Sequence, residues 1–446
     1  MAPITCGTTH QGSNIPMPSF ASQAAAIGVK RDSCTMVHAG RIALTDLGEK
    51  WLMKKKNKGL SDETELVHDD RYSEGAVAPP IYQTSLFSFE DYQSMVDRYR
   101  GDSDQAIYSR IDNPTTRVLQ DKIAMLEGGE SASAFSSGMA AISNAILAIA
   151  QSGDRIVCIK HVYPDTYRLL CGLCSRLGIV TEFVDGTDTD AVAGLLQGAK
   201  LLYLESPNTW MMQEQDLKLL AGLARAAGVT TIVDNSWSTP LFQRPLQTGI
   251  DLTIHSASKY ISGHSDTVAG LVVGRADLIE RINLQVQPYL GASLSPHSAA
   301  LLIRGLRTLP LRMQRHQDSG LLVAGRLAER ADVRHVHHPG LQKNDFSLLR
   351  GYGSLFSIEV DESVHIRSFC DSLQIFRLGV SWGGYESLVV PAEIARDQEG
   401  EFNSARDFGV PPRLIRLFVG LEDPDDLWND LLTAFENVEQ STSGKS

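Results

Sequence analysis

The alternation of short apolar runs with helical stretches, which begins near residue 130, constrains the fold of this chain more than any other feature. The apolar runs have the length of β-strands, and helix-type sequence such as LKLLAGLARAAG separates them; they are RIVCIK, TEFVD, LLYLE, TTIVDN, LTIHS and GLVVG. Strands that alternate with helices pair in parallel, because each crossover helix returns the chain to the same edge of the sheet. We therefore predict an α/β fold with a central, mostly parallel sheet flanked by helices.

The sequence before and after this alternation has a different character. Residues 1–33 are rich in Ser, Thr, Ala and Pro without a period, which predicts a loose arm, and the later KKKNK run predicts a solvated segment of an insertion. From about residue 300, amphipathic stretches such as RLAERADVRHVH mix with the strand-like SLFSIEV and LIRLFVG, which is typical of a smaller α+β domain. The predicted division is an N-terminal extension (1–85), a large domain (86–300) and a C-terminal small domain (301–446).

Charge, cysteine content and hydropathy exclude several classes of protein. The 446 residues include 53 acidic and 41 basic side chains, a formal net charge of −12, so the phosphate backbone of a nucleic acid would be repelled. The 6 cysteines are sparse for this length, which fits a reducing compartment. No apolar run reaches the ~18 residues that span a bilayer, and no Lys or Arg precedes Lys30 to form a secretory or transit signal. We expect a cytoplasmic protein without nucleic-acid or membrane partners.

Cys171 and Cys174 form a CxxC motif within YRLLCGLCSRLG. The spacing is that of one helix face, and no second Cys or His pair lies nearby in the sequence, so zinc or redox chemistry is disfavoured. We interpret both cysteines as packing residues.

Three of the predicted strands end in polar residues. LLYLE ends at Glu205, TTIVDN contains Asp234 at its end, and LTIHS ends at Ser256, shortly before Lys259. In a parallel sheet, ligands bind at the carboxyl ends of the strands because the crossover helices begin there. The sequence therefore predicts a site at this edge of the sheet.

Lys259 and Asp234 are the residues with the most specific chemistry at this edge. Lysine ordinarily has a pKa near ~10.4 and is a poor nucleophile at neutral pH, so imine chemistry at Lys259 would require burial or a cationic neighbour; the alternative is a surface lysine. Asp234 closes an apolar strand, where an unpaired carboxylate would cost several kcal/mol. It needs a cationic partner, either a protonated pyridine nitrogen or an arginine.

The AFSSGMAAISNAILAIA segment places Ser136, Ser137, Gly138 and Met139 at the start of a predicted helix. Unpaired backbone N–H groups and the helix dipole there suit a phosphate, although a Ser-Gly pair is also a common helix cap. A dinucleotide-binding oxidoreductase would share the alternating pattern but should show GxGxxG after its first strand, which SSGMAA is not.

Nine segments in this order resemble the pyridoxal-phosphate (PLP) enzymes of Cys/Met metabolism, the transsulfuration family. They extend over about residues 73–436 and are YSRIDNPTT, SSGMAA, HVYPDTYR, ESPN, IVDNSW, SASKYISGHSD, RGLRTL, SWGGYESL and LIRLFVGLED. The resemblance implies the aspartate-aminotransferase-like fold, PLP fold type I. It also implies a homotetramer of two tight dimers, in which the N-terminal arm contacts a neighbouring subunit.

The resemblance implies a cofactor role for each matching residue. Lys259 would hold PLP as a Schiff base and later transfer protons, Asp234 would pair with the pyridine nitrogen, and Tyr163 would stack on the ring and take part in catalysis. The phosphate would be held by a group of small residues and two residues of the neighbouring subunit: Gly138, Met139, Ser256 and Ser258, with Tyr108 and Arg110 from the neighbour. Active sites would therefore form only at the dimer interface.

The same resemblance implies how the substrate binds. Arg416 would bind the α-carboxylate, which a planar guanidinium grips with two parallel hydrogen bonds, and Ser381 would assist. Trp382 and Tyr108 would complete the substrate site. A family member without catalytic activity would be expected to have lost Lys259 or Asp234, and this chain has both.

The reaction within the family is indicated by segments that differ among its members. SWGGYESL, with Trp382 and Tyr385, and DNSW, with Trp237, resemble the cystathionine β-lyases, whereas γ-type members have SLGGxES and DNTF. The ESPNTWMM segment also lacks the ESPxNP of most γ-type enzymes. These features favour β-elimination of cystathionine or another cysteine S-conjugate, which gives a thiol, pyruvate and ammonia.

Other segments favour the γ-type enzymes. YSRIDNPTT resembles the γ-type YSRxxNPT, and Ile111 stands where β-lyases have a second arginine. The segment after the stacking tyrosine, Pro164-Asp165-Thr166, departs from the γ-type YGGT and YGCT, and Asp165 could contact the substrate amine or distal group or cap a helix. The alternatives are therefore a cystathionine γ-lyase, a γ-synthase, a homoserine-ester sulfhydrylase, or a specialised biosynthetic member with an unusual amino-acid substrate.

Overall fold

The computed structural model describes residues 60–68, 72, 75–342 and 344–443. The arm predicted over residues 1–33 and the KKKNK run lie outside the described residues. Among those described, no helix is both long and apolar enough to cross a membrane.

A seven-stranded sheet, here called the large sheet, forms the centre of the structure. Its strands are β1 (Ser131–Phe135), β2 (Arg155–Ile159), β3 (Val180–Val184), β4 (Leu201–Glu205), β5 (Thr230–Asp234), β6 (Leu252–Ser256) and β7 (Gly270–Gly274). Their spatial order is β1-β7-β6-β5-β4-β2-β3. Five neighbouring strands, β6, β5, β4, β2 and β3, pair in parallel. Strand β7 is antiparallel to both β6 and β1. The predicted mostly parallel sheet is confirmed, with GLVVG as an antiparallel strand.

Helices cover both faces of the large sheet. They are α1 (Asp62–Val67), α2 (Tyr92–Arg100), α3 (Pro114–Glu127), α4 (Gly138–Ile149), α5 (Pro164–Arg168), α6 (Thr189–Leu196), α7 (Leu217–Ala226), α8 (Thr239–Phe242), α9 (Ala276–Gln285), α10 (Gln287–Leu290) and α11 (Pro296–Ala328). One hydrophobic core joins the sheet to α4, α6, α7 and α9, and a second joins its other face to α3 and α11. This is the α/β layer arrangement that the sequence predicts.

A five-stranded sheet, here called the small sheet, forms a separate C-terminal unit of structure. Its strands are β8 (Val333–His337), β9 (Leu355–Val360), β10 (Arg377–Leu378), β11 (Leu388–Pro391) and β12 (Leu414–Phe418), in the order β10-β11-β12-β9-β8. Its helices are α12 (Ile366–Ser372), α13 (Ala392–Asp397), α14 (Ser404–Asp407) and α15 (Pro424–Ser443). The three-part division at residues 85 and 300 stays a prediction, and the second boundary falls within α11.

Two local predictions need correction or refinement. RLAERADVRHVH is not one amphipathic piece: α11 ends at Ala328 and VRHVH is β8, because Val333 and Val336 are buried against β9, with a bulge between them. The CxxC residues Cys171 and Cys174 lie in a π-helical turn after α5, and both are free thiols. Cys174 is buried and Cys171 is half-buried, which fits packing roles.

Candidate active site

The carboxyl ends of β4, β5 and β6 and the N-terminus of α4 meet at one cavity of about 320 Å³. Ten of the twelve residues that the sequence singles out for the cofactor and substrate line it. They are Gly138, Met139, Tyr163, Asp234, Ser256, Ser258, Lys259, Ser381, Trp382 and Arg416. Tyr108 and Arg110 do not line the cavity of their own chain.

Lys259 reaches this cavity from the turn that follows β6. Its Nζ donates a hydrogen bond to Ser381 Oγ at 2.7 Å and lies 5.3 Å from the centre of the Trp382 ring. Burial and the nearby positive charge of Arg416 lower the pKa of Lys259 to about 8, although Asp234 opposes this shift. Lys259 is therefore not a surface lysine, and about a tenth of its amine is unprotonated at pH 7, compared with well under a hundredth for an ordinary lysine.

The loop that carries Ser381 and Trp382 packs directly against the backbone of Lys259. Gly383 has a φ of 88°, and a Cβ atom there would lie 2.8 Å from Lys259 Cα, so only glycine fits. Trp382 also packs on Tyr260, with their ring centres 5.4 Å apart. The SWGG segment is thus more than a plain turn, because it fixes the approach to the lysine.

Asp234 ends β5 and faces the cavity without a cationic partner. Its Oδ1 accepts a hydrogen bond from the N–H of Ser236 at 2.9 Å, and no arginine or lysine of the described residues lies within ion-pair distance. Burial raises the pKa of Asp234, and the hydrogen bonds from Ser236 oppose that shift. The arginine partner that the sequence left open is not found, so the carboxylate is available to a cationic ligand.

Glu205 provides a second carboxylate at the end of the neighbouring strand, in register with Asp234. Its Oε2 accepts a hydrogen bond from the N–H of Tyr163 at 2.7 Å, and its Oε1 accepts one from Thr209 Oγ1 at 2.5 Å. Burial and the adjacent Asp234 raise the pKa of Glu205 to about 8. Two carboxylates at this spacing cannot both ionise easily without a cation between them or nearby.

The N-terminus of α4 opens into the cavity. Ser137 is the N-cap, because its hydroxyl accepts a helix N–H at 3.0 Å, so the helix begins at Gly138 and Ser136 lies outside it. A Cβ atom on Gly138 would lie 3.0 Å from Ser256 Oγ, so glycine keeps this cradle open. The first N–H groups of a helix that are not bonded within it suit an anion such as phosphate.

Two serine hydroxyls border the same cradle. The N–H of Ser256 donates to Ser236 Oγ at 2.6 Å, which ties the end of β6 to the segment after β5. Ser258 Oγ accepts the N–H of Ala269 at 2.9 Å and donates to the carbonyl of the same residue at 3.2 Å. These hydrogen bonds fix the backbone of the turn that carries Ser256, Ser258 and Lys259.

Tyr163 stands at the entrance of the cavity, at the N-cap position of α5. Its side chain is 42% exposed, and its hydroxyl donates to Asp165 Oδ2 at 3.1 Å. The interpretation of Asp165 as a helix cap is wrong: Pro164 opens the helix, and Asp165 within it accepts a hydrogen bond from Arg168 at 2.6 Å. Tyr163 is therefore no core residue and can approach a bound ring.

Arg416 reaches the cavity from β12 of the small sheet. Its Nη2 donates to the carbonyl of Val380 at 2.9 Å, and its guanidinium carbon lies 5.1 Å from the centre of the Trp210 ring. No carboxylate of the described residues lies within ion-pair distance of it. Burial lowers the pKa of Arg416 to about 10. The cavity therefore contains a buried guanidinium that could bind an anionic group.

A family model described as "Cys/Met metabolism PLP-dependent enzyme" matches residues 63–436 of this chain. The chain belongs to this family. L-methionine gamma-lyase of Pseudomonas putida is 37% identical over 396 residues, which cover 86% of this chain and 99% of that protein. Cystathionine beta-lyase of Lactococcus lactis subsp. cremoris is 34% identical over 369 residues, or 81% and 94% of the two chains.

A solved structure supports the same assignment for the fold. The cystathionine gamma-lyase of Lactobacillus plantarum, solved in complex with L-serine, matches with a TM-score of 0.78 and 32% identity. The match covers 85% of this chain and 100% of that chain. The predicted PLP fold type I and the predicted membership of the Cys/Met family are confirmed.

The cavity of this Cys/Met-family enzyme fits PLP at three separate points. Lys259 offers an amine that burial keeps partly neutral, and Asp234 offers a carboxylate without an internal cation. Gly138 keeps the N-terminus of α4 open beside Ser256. These groups suit the aldehyde, the pyridine nitrogen and the phosphate of one molecule. PLP is the cofactor of the enzyme, as the sequence predicts.

Tyr108 and Arg110 lie on the surface of this chain, just before α3. Tyr108 is 43% exposed, and Arg110 Nη1 donates to the carbonyl of Pro288 at 2.6 Å, with its guanidinium carbon 5.8 Å from the Tyr108 ring centre. The nearby Ile111 is also exposed. Their predicted contribution to a neighbouring subunit's site stays a prediction.

Sequence reasoning missed two features around the cavity. It noted Glu205 as a strand end but gave it no role, and it treated ESPNTWMM only as a departure from a motif, without seeing Trp210 against Arg416. It also passed over His255, which forms a wholly buried hydrogen bond with Glu127 on the other side of β6. The signal that could have drawn attention to His255 is its position as a histidine within an apolar strand.

Proposed function

We propose that this enzyme is a carbon–sulfur lyase that carries out β-elimination on cystathionine or another cysteine S-conjugate, giving a thiol, pyruvate and ammonia. The observation that carries the proposal is the contact of Lys259 Nζ with both Ser381 Oγ and the Trp382 ring, in a cavity that also contains Arg416, which has no ion-pair partner among the described residues. A base and a carboxylate-binding cation in one cavity suit an α-amino acid. The Trp382 of SWGGYESL is the feature that favours a β-lyase.

Each residue would have a defined part in this reaction. Bound PLP supplies an electron sink that stabilises negative charge at the substrate Cα. Arg416 binds the α-carboxylate with two N–H groups and Ser381 assists, which presents the Cα–H bond to Lys259. Lys259 Nζ removes the proton, since a pKa of about 8 leaves part of the amine free to act as a base.

The Trp382 ring would then stabilise the ammonium that Lys259 becomes, since a cation over an indole face is attracted by the ring quadrupole. The Cβ–S bond breaks with its electron pair going to sulfur, which leaves as a thiolate. Tyr163 keeps its phenolic proton during this step, because burial raises its pKa to about 12. Water hydrolyses the remaining three-carbon enamine to pyruvate and ammonia.

Gamma-elimination is the second candidate, and a specific observation favours it. The Pseudomonas putida relative, at 37% identity over 99% of its own length, is an L-methionine gamma-lyase. Gamma-elimination or γ-replacement would require Lys259 to move protons at both Cα and Cβ, with Arg416 binding the carboxylate in the same way. A biosynthetic member with an unusual amino acid would also use this arrangement.

The products from L-cystathionine test the proposal. Purified enzyme should release pyruvate and homocysteine, as identified by chromatography and mass spectrometry, while Lys259→Ala releases neither. Formation of 2-oxobutanoate and cysteine would overturn β-elimination and assign a γ-lyase. Release of neither pair would point to another substrate or to γ-replacement.

We also propose that the enzyme is a homotetramer of two dimers, in which Tyr108 and Arg110 complete the phosphate site of the neighbouring subunit. Both residues are exposed and outside their own cavity, whose lining cations are Lys259 and Arg416. Coexpressed Lys259→Ala and Arg110→Ala subunits would then regain part of the activity that each variant lacks alone, since one mixed site has neither change. No recovery in mixed dimers would contradict a shared site.

A cytoplasmic location is proposed on narrower grounds. The described cysteines are free thiols, as expected in a reducing compartment. Fractionation of the native cell followed by immunodetection would test this location.

A further inference from the structure

Trp210 occupies an unusual backbone position directly after the cavity residues of β4. Its φ is 70°, in the left-handed region, and Met212 two residues later has a φ of 52°. Bonds at both ends fix this turn: Thr209 donates to Glu205, and the N–H of Gln213 donates to Asn208 Oδ1 at 2.9 Å. Bulky residues are retained in this backbone region only where their surroundings enforce it, which often happens at functional sites.

The ring of Trp210 is buried and is not held by a hydrogen bond. Its side chain is 4% exposed, and the indole Nε1 has no hydrogen-bond partner within the described structure. The ring packs against residues of the small-sheet region: Ala392, Ala405, Val410 and Leu414. A buried indole N–H normally donates a hydrogen bond. Because this one does not, the contribution of Trp210 must come from the contacts of its ring face.

The polar contact of the ring face is with Arg416, whose guanidinium carbon lies 5.1 Å from the ring centre. Arg416 lines the cavity and Trp210 does not, so the ring contacts the guanidinium from outside the cavity. A carboxylate in this place would neutralise the cation and occupy its donors. An aromatic face instead stabilises the charge and occupies none of the guanidinium N–H groups, of which Nη2 also donates to the carbonyl of Val380.

The same turn also helps to engage the carboxylate of Glu205, whose charge acts on Arg416 although the two side chains form no ion pair. Both oxygens of Glu205 are engaged, one by the N–H of Tyr163 at 2.7 Å and the other by Thr209 at 2.5 Å. Thr209 immediately precedes Trp210. The segment therefore gives Arg416 an uncharged neighbour while it holds Glu205 in other hydrogen bonds.

We propose that Trp210 is a positioning residue that orients Arg416 and so sets the preference of the enzyme for ligands with a free α-carboxylate. This inference rests on the proposed role of Arg416 in carboxylate binding. Loss of the aromatic face should weaken binding of amino acids and spare the corresponding amides, which have no charge for Arg416 to bind. The expected effect is on the order of tenfold in affinity, the size of a desolvated cation–π interaction.

The test compares the binding of L-alanine and L-alaninamide to the holoenzyme, followed by the change in cofactor absorbance. Neither ligand has a leaving group, so affinity is measured apart from turnover. Trp210→Leu should weaken L-alanine about tenfold and leave L-alaninamide unchanged, while Trp210→Phe keeps most of the affinity. Trp428→Leu is the matched control, since Trp428 makes a similar contact with Arg326, at 5.7 Å, outside the cavity.

Fluorinated tryptophans at position 210 provide a second measurement if Trp210→Leu does not fold. They keep the shape of the ring and weaken its negative face, so affinity for L-alanine should fall stepwise with fluorine number. Equal effects on both ligands, or no effect of fluorination, would overturn the positioning role. Arg416→Met separates the two proposals: it should weaken L-alanine far more than L-alaninamide, and equal losses of affinity for both ligands would mean that Arg416 does not bind the carboxylate.

Discussion

Two groups of polar residues lie on opposite sides of the large sheet near β6, and they differ in what their polar atoms bond to. The sealed cluster consists of Glu127, Asn235, Gln243 and His255, and its members bond to each other. His255 Nε2 lies 2.5 Å from Glu127 Oε1, and Asn235 Nδ2 donates to the same oxygen at 2.9 Å. Gln243 Nε2 donates to Asn235 Oδ1 at 3.0 Å.

The open cluster consists of Asp234, Lys259 and Arg416, and it faces the cavity. Its members do not pair with opposite charges, and each pKa moves toward the neutral form. The pKa of Lys259 falls to about 8 and that of Arg416 to about 10, while that of Asp234 rises, all chiefly through burial. The comparison teaches that the fold bonds the members of one cluster to each other, although Glu127 Oε2 and His255 Nδ1 have no hydrogen-bond partner among the described residues, and leaves the charges of the other cluster to ligands.

The largest effect should come from removing the amine of the open cluster. Lys259→Ala should lower turnover by at least about 10⁴-fold, because both the covalent anchor and the proton-transfer group are lost. Borohydride reduction followed by peptide mass spectrometry should place PLP on Lys259 in the wild type and nowhere in the variant. The exposed Lys218→Ala is the control. Retention of covalent PLP by Lys259→Ala would contradict the assignment.

In the sealed cluster, the largest effect should be on stability. Glu127→Ala leaves His255 and Asn235 buried without their shared acceptor, so the free energy of unfolding should fall by about 3 to 5 kcal/mol. Urea unfolding of the holoenzyme measures this, with the exposed Glu280→Ala as control. A loss no larger than that of the control would show that the sealed cluster does not depend on Glu127.

The ends of the strands were the part of the site that the sequence could predict. Glu205, Asp234 and Ser256 end apolar runs, and parallel pairing brings such ends to one edge. Lys259 follows the last of these runs within a short turn. Local patterns therefore located Asp234 and Lys259 of the open cluster, because Asp234 ends one strand and Lys259 closely follows another.

Contacts between distant segments could not be predicted in the same way. His255 and Glu127 are 128 positions apart, and their pairing depends on how α3 packs against β1 and β7, the two strands on one side of β6. Trp210 meets Arg416 only because the turn after β4 packs against β12. The strand VRHVH was missed for another reason: over five residues its buried positions fit helical spacing as well as a bulged strand.

A smaller effect is expected from neutralising Asp234. Asp234→Asn keeps the size of the side chain but cannot balance a protonated pyridine nitrogen, so PLP affinity should fall about 10²-fold, as expected for a broken buried ion pair. Equilibrium dialysis of the cofactor measures this loss. Asp190→Asn, on the exposed side of α6, should bind PLP normally. Unchanged PLP affinity in Asp234→Asn would show that Asp234 does not bind the ring nitrogen.

The smallest effect is the pH dependence of PLP attachment to the cofactor-free enzyme. Only the neutral amine attacks the aldehyde, so the rate should follow the deprotonated fraction of Lys259, whose pKa burial lowers to about 8. The rate should rise about fivefold from pH 7 to pH 8 and only about twofold from pH 8 to pH 9, since the amine is then largely neutral. An exposed lysine would give a rise of about tenfold over each interval. Stopped-flow absorbance distinguishes these cases, and a tenfold rise between pH 8 and pH 9 would mean that Lys259 is not desolvated before the cofactor binds.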